Sequence, residues 1–117
     1  MKPHRLKKRR QFLQTAQAGN KHVCPAFVVQ YRRRGDLEQP SVSPGLGLGF
    51  TASKKVGNAV QRNRAKRRLR ALTQECLSED QTSQHSDLVL IARKTVLKRP
   101  YRKLKREFNK AMTSFDG

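Results

Sequence analysis

The segment over residues 53–72, SKKVGNAVQRNRAKRRLRAL, is the part of the chain whose residue types most clearly predict a chemical role. It is rich in lysine and arginine and contains no acidic residue. The arginine guanidinium is a planar fork of donors that fits phosphate oxygens and base edges better than a lysine ammonium does. A helix that needed only solubility would mix glutamate among these charges, yet the next acid is Glu75. The segment therefore predicts a polyanion-binding surface rather than a merely solvated helix face.

A helix over residues 58–77 would separate this charge from an apolar docking face. At about 100° per residue, one narrow seam consists of Ala65, Leu69, Leu72 and Cys76. A second stripe, roughly 140° away by the same geometry, consists of Asn63, Lys66, Arg67 and Arg70. Just before the helix, Lys54 and Lys55 lie beside an N-terminus whose backbone N–H groups favour anions. The helix can thus dock by one face and bind a polyanion by another.

The charge of the whole chain points the same way. The 117 residues include 27 Lys plus Arg against 8 Asp plus Glu, a formal net charge of +19. The length suits one domain over residues 1–117. Self-repulsion of this size destabilises a small fold in isolation, so we expect a polyanion to neutralise it. Nucleic acid is a better candidate than an anionic membrane surface, because the amphipathic helices need their apolar faces for a core.

The lack of a recognisable targeting signal and the spacing of the two cysteines predict a cytoplasmic protein. No apolar run approaches the roughly 20 residues of a transmembrane helix, and the N-terminal MKPHRLKKRR lacks the apolar centre of a secretion signal. Cys24 and Cys76 are far apart, and neither has a second Cys or His at metal-ligand spacing. We expect both to be buried free thiols, with no bound metal.

Hydrophobic periodicity predicts an α/β two-layer sandwich with elements in the order α-β-β-α-β-α. The predicted helices cover residues 8–18, 58–77 and 100–115, and the predicted strands cover residues 23–33, 45–53 and 87–94. The last strand is apolar at almost every position, as expected of a central strand covered on both faces. The second strand has one face with almost no side-chain bulk, which either a packed helix or a ligand backbone could approach; it consists of Gly45, Gly47, Gly49, Thr51 and Ser53. Six of the eight acids lie in or beside two predicted loops, which are Asp36 and Glu38 in the first and Glu75, Glu79, Asp80 and Asp87 near the second.

The residues SKKVGNAVQRNRAKRRLR resemble the signature of the bacterial ribonuclease P protein component, whose hallmark is an Arg-Asn-Arg core after a Gly-Asn pair. The resemblance also includes RLKKRRQF, FVV and DLVLIARK, and so covers nearly the whole chain. It implies a small mixed sheet with a left-handed β-α-β crossover, as in a related ribosomal-protein domain, although the general rule predicts the opposite hand. It also implies an accessory subunit of an enzyme whose large RNA subunit, with Mg²⁺, removes the 5′ leader of precursor tRNA.

The resemblance implies two RNA-binding sets. The implied contacts to the RNA subunit are Arg62, Asn63, Arg64, Lys66, Arg67 and Arg70. The implied contacts to the leader, in a cleft between the first helix and the sheet, are Phe12, Phe27, Ser53, Lys54 and Lys55, with Tyr31 as a possible extra stacking ring. Family members often carry a second aromatic residue one turn after Phe12, where this chain has Ala16. Phe12 and Phe27 fit a plain core role equally well.

Two other functions remain open at this stage. A general RNA-binding or ribosomal-type protein would have the same composition. A nuclease in its own right would need clustered carboxylates for a metal, or paired histidines. The acids lie mostly in loops, and His4, His22 and His85 occur in unrelated segments. We therefore expect no catalytic residue in this chain, no obligate protein partner and no membrane association.

Overall fold

A computed structural model describes residues 3–34 and 45–116. The strands are β1 (His4–Arg5), β2 (Asn20–Val23), β3 (Phe27–Arg33), β4 (Gly47–Ala52) and β5 (Ser86–Ala92). The helices are α1 (Arg9–Gln17), α2 (Ala59–Cys76), α3 (Glu79–Ser83) and α4 (Tyr101–Asp116), with a 3-10 helix over Lys94–Leu97. All six predicted elements are present, although their ends differ by a few residues. The predicted loop with Asp36 and Glu38 lies outside the described residues.

The strands form one mixed sheet in the order β1-β4-β5-β3-β2. Strand β5 lies at the centre, parallel to β4 and antiparallel to β3, and its first five residues are buried. This confirms the mixed α/β class and the central position predicted from its apolar run. Because β4 and β5 are parallel neighbours joined through α2 and α3, the predicted β-α-β crossover is confirmed as well. The hand of the crossover stays a prediction.

The main core lies between the sheet and the helices α2 and α4. Phe27 of β3 is fully buried, and its ring centroid lies 6.4 Å from that of Phe108 on α4. Leu69 and Leu72, two members of the predicted α2 seam, are also fully buried. The seam therefore docks α2 on the sheet as its spacing indicated, and the opposite side of the helix faces solvent.

At Gly47 and Gly49, the small-residue face of β4 is covered by other parts of the chain. A β-carbon at Gly49 would lie 2.5 Å from Cε1 of Phe12, and one at Gly47 would lie 2.6 Å from Leu6. Helix α1 and the segment before it thus pack on the sheet face opposite the main core. Of the two possibilities left open for this face, close helix packing is observed at Gly49, whereas Gly47 is covered by side chains of β1, β5 and the segment before α1.

Replacing Gly49 by alanine is expected to displace Phe12 from the sheet. A carbon–carbon distance of 2.5 Å is far inside van der Waals contact, so either the ring or the helix has to move. We expect the free energy of unfolding to fall by about 1–2 kcal/mol, as for other overpacked sites, measured by urea denaturation. In the double variant Gly49→Ala/Phe12→Ala the added methyl group has no ring to clash with. The double variant should therefore lose less free energy of unfolding than the sum of the losses in the two single variants. Additive losses would contradict the packing of α1 on Gly49.

The predicted strand over residues 23–33 is wrong at its start, because two strands occupy this region. Val23 ends β2 and pairs with Val28 of β3 in an antiparallel hairpin. Between them Pro25 has no backbone N–H to give to a ladder, and the Cys24 N–H closes the turn on the Phe27 carbonyl at 2.8 Å. The short elements β1, α3 and the 3-10 helix were also missed, since none is long enough to show a hydrophobic period.

Both cysteines are free, as predicted. Cys24 is buried as predicted, whereas the prediction of burial is wrong for Cys76, which is half-buried at the end of α2. Burial raises the pKa of the Cys24 thiol to about 11, so this thiol stays protonated and unreactive near neutral pH. Among the helices of the described ranges, none is long and apolar enough to cross a bilayer.

Candidate nucleic-acid interface

Helix α2 begins at a well-formed N-cap. The Asn58 side chain accepts a hydrogen bond from the Gln61 N–H at 2.9 Å, and the Gln61 side chain accepts one from the Asn58 N–H at 2.8 Å. Gly57 precedes the cap with φ +148°, a conformation that disfavours other residues. The Gly-Asn pair of the motif therefore fixes where the basic helix starts, and so which residues face outward.

Four residues of the predicted stripe line one surface depression together with two others. We call it the basic depression, and its lining consists of Arg5, Val60, Asn63, Lys66, Arg67 and Arg70. No acid is among these residues. Arg5 comes from β1, which pairs with β4 beside the helix. Sequence reasoning missed Arg5 because a two-residue strand carries no periodic signal, although the basic N-terminal run RLKKRR indicated charge in this region.

The other two arginines of the motif lie outside that lining. Arg64 is exposed and Arg62 is half-buried. Nearby, Arg68 has a structural role, because its guanidinium donates to the carbonyls of Val96 and Arg99, the latter at 2.9 Å. The Arg-rich segment thus contains both outward-facing charges and one arginine that fastens α2 to the chain after β5.

An open strip of the sheet lies beside Phe12, on the side of the sheet that α1 covers. Phe12 itself is half-buried against Gly49. The next row on this face consists of Thr51, Ile91 and Val28, which are paired across β4, β5 and β3 and are all half-buried. Ala16 is exposed one turn after Phe12 on α1. The strip ends near Ser53, which is exposed just beyond β4.

Two of the predicted leader contacts do not reach this strip. Phe27 is fully buried in the core against Phe108, so its ring has no face free for a base. Tyr31 alternates with the strip residues along β3 and so points to the other side of the sheet. There its ring stacks on Phe115 at 5.1 Å, and its hydroxyl lies 3.2 Å from that of Ser86. Full burial removes Phe27 from the leader candidates, whereas the leader contact of the half-buried Tyr31 stays a prediction. In this structure both rings pack against α4.

Lys54 and Lys55 line a separate depression at the start of α2. We call it the lysine depression, and its charged lining residues are Lys54, Lys55, Lys94, Lys98 and Arg99. The last three come from the 3-10 helix after β5 and the turn that follows it. Sequence reasoning did not assign them, although the basic run in ARKTVLKRP was a visible signal. The structure thus brings two basic segments, 40 positions apart in the chain, to one place.

One acid in a described ion pair reaches the lysine depression, because Glu107 pairs with Arg99 of its lining at 2.5 Å. The other two such acids, Asp87 and Glu75, pair with residues that line neither depression. Asp87 was grouped with the loop acids, but it is the second residue of β5, is buried, and lies 3.5 Å from Arg32 and from Arg34. On the α4 side, Glu75 pairs with Lys105 at 2.8 Å, and this hydrogen bond lowers the pKa of Glu75. Within residues 3–34 and 45–116, no three His, Cys, Asp or Glu side chains are grouped so as to hold a metal ion. The arrangement is one that can bind anions and stack a base.

Known proteins of one family are similar to this chain over nearly its full length. The family model described as Ribonuclease P matches residues 1–116. The ribonuclease P protein component of Gluconacetobacter diazotrophicus is 44% identical over 90 residues, covering 77% of this chain and 72% of that protein. That of Brucella suis is 36% identical over 112 residues, covering 94% of this chain and 78% of that protein.

Solved structures show the same fold. The RNase P protein of Staphylococcus aureus superposes with a TM-score of 0.70 at 23% identity, covering 96% of this chain and 94% of that one. The RNase P protein from Thermotoga maritima gives a TM-score of 0.68 at 24% identity, covering 92% of this chain and 93% of that one. Together with the matches to the family model and to the relatives, this similarity shows that the chain belongs to the ribonuclease P protein family.

Proposed function

We propose that this protein is the accessory protein subunit of a ribonuclease P, in which a large RNA subunit carries the chemistry with Mg²⁺. The protein binds that RNA through the basic depression and binds the 5′ leader of precursor tRNA along the strip beside Phe12. The leader is then removed by hydrolysis to give the mature tRNA 5′ end. No residue of this chain acts on the scissile bond, and the protein itself holds no metal.

The observation that carries the proposal is the position of Asn63, Lys66, Arg67 and Arg70. They line one depression on the outward side of a helix that docks by its opposite face, and no acid joins them. Like charges on one helix face repel each other, so the arrangement favours a bound polyanion. RNA supplies closely spaced phosphates, which arginine and lysine neutralise with release of counterions.

The strip beside Phe12 suits a single strand rather than a duplex. Base–aromatic stacking contributes roughly 1–3 kcal/mol per base and tolerates any sequence. Phe12 leaves its ring partly exposed, and the strip ends where Ser53, Lys54 and Lys55 follow β4. A strand lying on Phe12 could therefore continue toward the lysine depression, where its phosphates would meet lysine side chains.

The proposal is tested by incubating precursor tRNA and Mg²⁺ with the protein, with a bacterial ribonuclease P RNA, or with both. We expect cleavage at low Mg²⁺ only when both are present, with a product that carries the mature 5′ end. Cleavage by the protein alone would instead indicate a nuclease in its own right. Binding to the RNA without stimulation of cleavage would indicate a general RNA-binding protein.

Arg67→Ala is expected to weaken binding to the ribonuclease P RNA more than Arg102→Ala does. Both side chains are exposed on long helices, but only Arg67 lines the basic depression. Loss of one arginine contact to a phosphate or base should cost about 1 kcal/mol or more. The measurement is the affinity of each variant at one fixed salt concentration. Equal losses at the two positions would mean that diffuse charge, and not this depression, holds the RNA.

The salt dependence of RNA binding should change with the depression's charges. Each phosphate contact contributes about −0.7 to −0.9 to the slope of log affinity against log salt. The double variant Lys66→Ala/Arg70→Ala should therefore flatten the slope by about two contacts' worth. The control variant Lys103→Ala/Arg106→Ala removes two exposed charges from α4 and should leave the slope nearly unchanged. A slope that Lys66→Ala/Arg70→Ala leaves unchanged would place those residues outside the interface.

A further inference from the structure

A second depression lies beside the basic depression, between β1 and the C-terminal half of α2. We call it the Phe50 depression; its volume is about 460 Å³, within the range of about 300–1,000 Å³ that small-ligand sites have. The lining residues that matter are Arg5, Leu48, Phe50, Arg70, Gln74 and Thr82. Arg5 and Arg70 also line the basic depression, so the two are neighbours with a shared rim.

The floor of the Phe50 depression is apolar and partly open. Leu48 and Phe50 alternate with the glycines of β4 and so face α2, at the margin of the main core. The Phe50 ring is half-buried, and the guanidinium carbon of Arg70 lies 5.6 Å from its centroid. This distance places the cation over the ring face, an arrangement that holds the guanidinium plane in position. A flat ligand could bind on the apolar surface of Leu48 and Phe50, beside the Arg70 guanidinium.

The rim of the Phe50 depression combines positive charge with an amide group that can hydrogen-bond to the edge of a base. Two guanidinium groups, from Arg5 and Arg70, border the opening, and no acid is among the residues that line it. Gln74 is exposed on α2 at the wall, and its amide offers both a donor and an acceptor. An apolar floor, a cationic rim and an amide at one side are together complementary to a nucleotide. An apolar peptide would satisfy the floor but would leave the two arginines without a counter-charge.

We propose that the Phe50 depression receives one unstacked nucleotide of the RNA that binds α2. Its phosphate lies between Arg5 and Arg70, its base covers Leu48 and Phe50, and the base edge meets Gln74. Because this inference rests on the proposed binding of the ribonuclease P RNA, it identifies a base-specific contact next to the phosphate contacts of the basic depression. Phosphate contacts set position, whereas contacts to a base carry sequence information.

The first test locates the nucleotide by photocrosslinking with the full chain. The photoreactive residue benzoylphenylalanine replaces Gln74, and a control protein carries it at Gln84, which is exposed after α3 and does not line the depression. Each protein is irradiated in complex with a bacterial ribonuclease P RNA. We expect position 74 to crosslink to one nucleotide in an unpaired region, and position 84 to give no crosslink there. Crosslinks from position 74 spread over many nucleotides, or none in a complex of normal affinity, would overturn the proposal.

The second test removes the base and the ring in turn. An RNA that is abasic at the crosslinked nucleotide should bind the unaltered protein about 5- to 150-fold more weakly, the loss expected for one stacked base. Phe50→Leu keeps the floor apolar but removes the ring, so it should bind the intact RNA more weakly, and abasic substitution should then weaken binding by a clearly smaller factor than in the unaltered protein. An equal abasic effect in both proteins would overturn the proposal. Thermal unfolding of Phe50→Leu is measured alongside, and Gln74→Ala, which changes only an exposed side chain, repeats the test without touching the core.

The outcomes also separate this inference from the function on which it rests. If the unaltered protein neither binds the RNA nor stimulates cleavage, the proposed function and the nucleotide site both fail. If it binds and stimulates, but position 74 gives no unique crosslink, only the nucleotide site fails. If it binds and stimulates, position 74 gives a unique crosslink and the abasic loss depends on Phe50, both hold; the same crosslink and abasic result without stimulation would keep the nucleotide site and overturn the proposed function.

Discussion

Phe27→Ala is expected to lower the free energy of unfolding by about 3–5 kcal/mol, the usual cost of truncating a buried phenylalanine. The side chain is fully buried and packs at 6.4 Å on Phe108, so its loss leaves a cavity between β3 and α4. Strand β3 cannot easily collapse into that cavity, because it is paired on both sides, with β2 and β5. For a small domain with a net stability of about 5–15 kcal/mol, this loss is a large fraction.

The measurement is chemical denaturation of Phe27→Ala beside Val23→Ala, which truncates a side chain that is 56% exposed at the end of the neighbouring strand. Val23→Ala should change stability little. Binding of Phe27→Ala to mature and precursor tRNA, in the presence of the ribonuclease P RNA, should fall together as folded protein is lost. A stable Phe27→Ala protein with a defect for the precursor only would show that the ring is accessible after all and would restore its leader assignment.

The elements that the sequence predicted well are those with long periodic patterns. Helices α2 and α4 and the central strand β5 each carry an uninterrupted pattern over seven or more residues. The outward stripe of α2 followed directly from helical geometry, because four residues on one face cannot be far apart. For the same reason, the basic depression was predictable in its α2 residues and unpredictable in Arg5, which reaches it from another strand.

The leader candidates show where pattern reasoning fails. Phe12 and Phe27 are alike in sequence, yet one is half-buried on α1 and the other is fully buried in β3. The difference depends on which face of the sheet each helix covers, and alternation along a strand cannot say which face is which. Asp87 was assigned by its neighbours in the chain, whereas its buried pairing with Arg32 and Arg34 depends on the register of β3 with β5.

Phe12→Ala is expected to weaken the binding of precursor tRNA to the complex of this protein with the ribonuclease P RNA. The expected loss is about 1–3 kcal/mol, the usual contribution of one base–aromatic stack. Binding of mature tRNA should remain almost unchanged, since only the precursor has a single strand to place on the ring. Because Phe12 is half-buried, the variant should also lose less stability than Phe27→Ala. Thermal unfolding and both affinities are measured on the same preparation, and equal losses for the two tRNAs would remove Phe12 from the leader contacts.

Ala16→Phe provides the converse of this variant. Ala16 is exposed one helical turn from Phe12, so a ring at that position would lie beside the first on the same face of α1. Since the position is open to solvent, the larger side chain should not disturb the packing of α1 on Gly49, and the thermal unfolding temperature should stay near that of the unaltered protein. The second ring would offer the leader another stacking surface, so precursor tRNA should bind more tightly while mature tRNA does not.

The control is Leu13→Phe, which adds a ring to another exposed position of α1, 48% accessible and one residue beyond Phe12. The ring at position 13 points about 100° away from that of Phe12 around the helix, so it should not tighten the binding of precursor tRNA. If Leu13→Phe and Ala16→Phe tightened precursor binding equally, added aromatic surface in general, and not a leader path along the Phe12 face, would explain the effect.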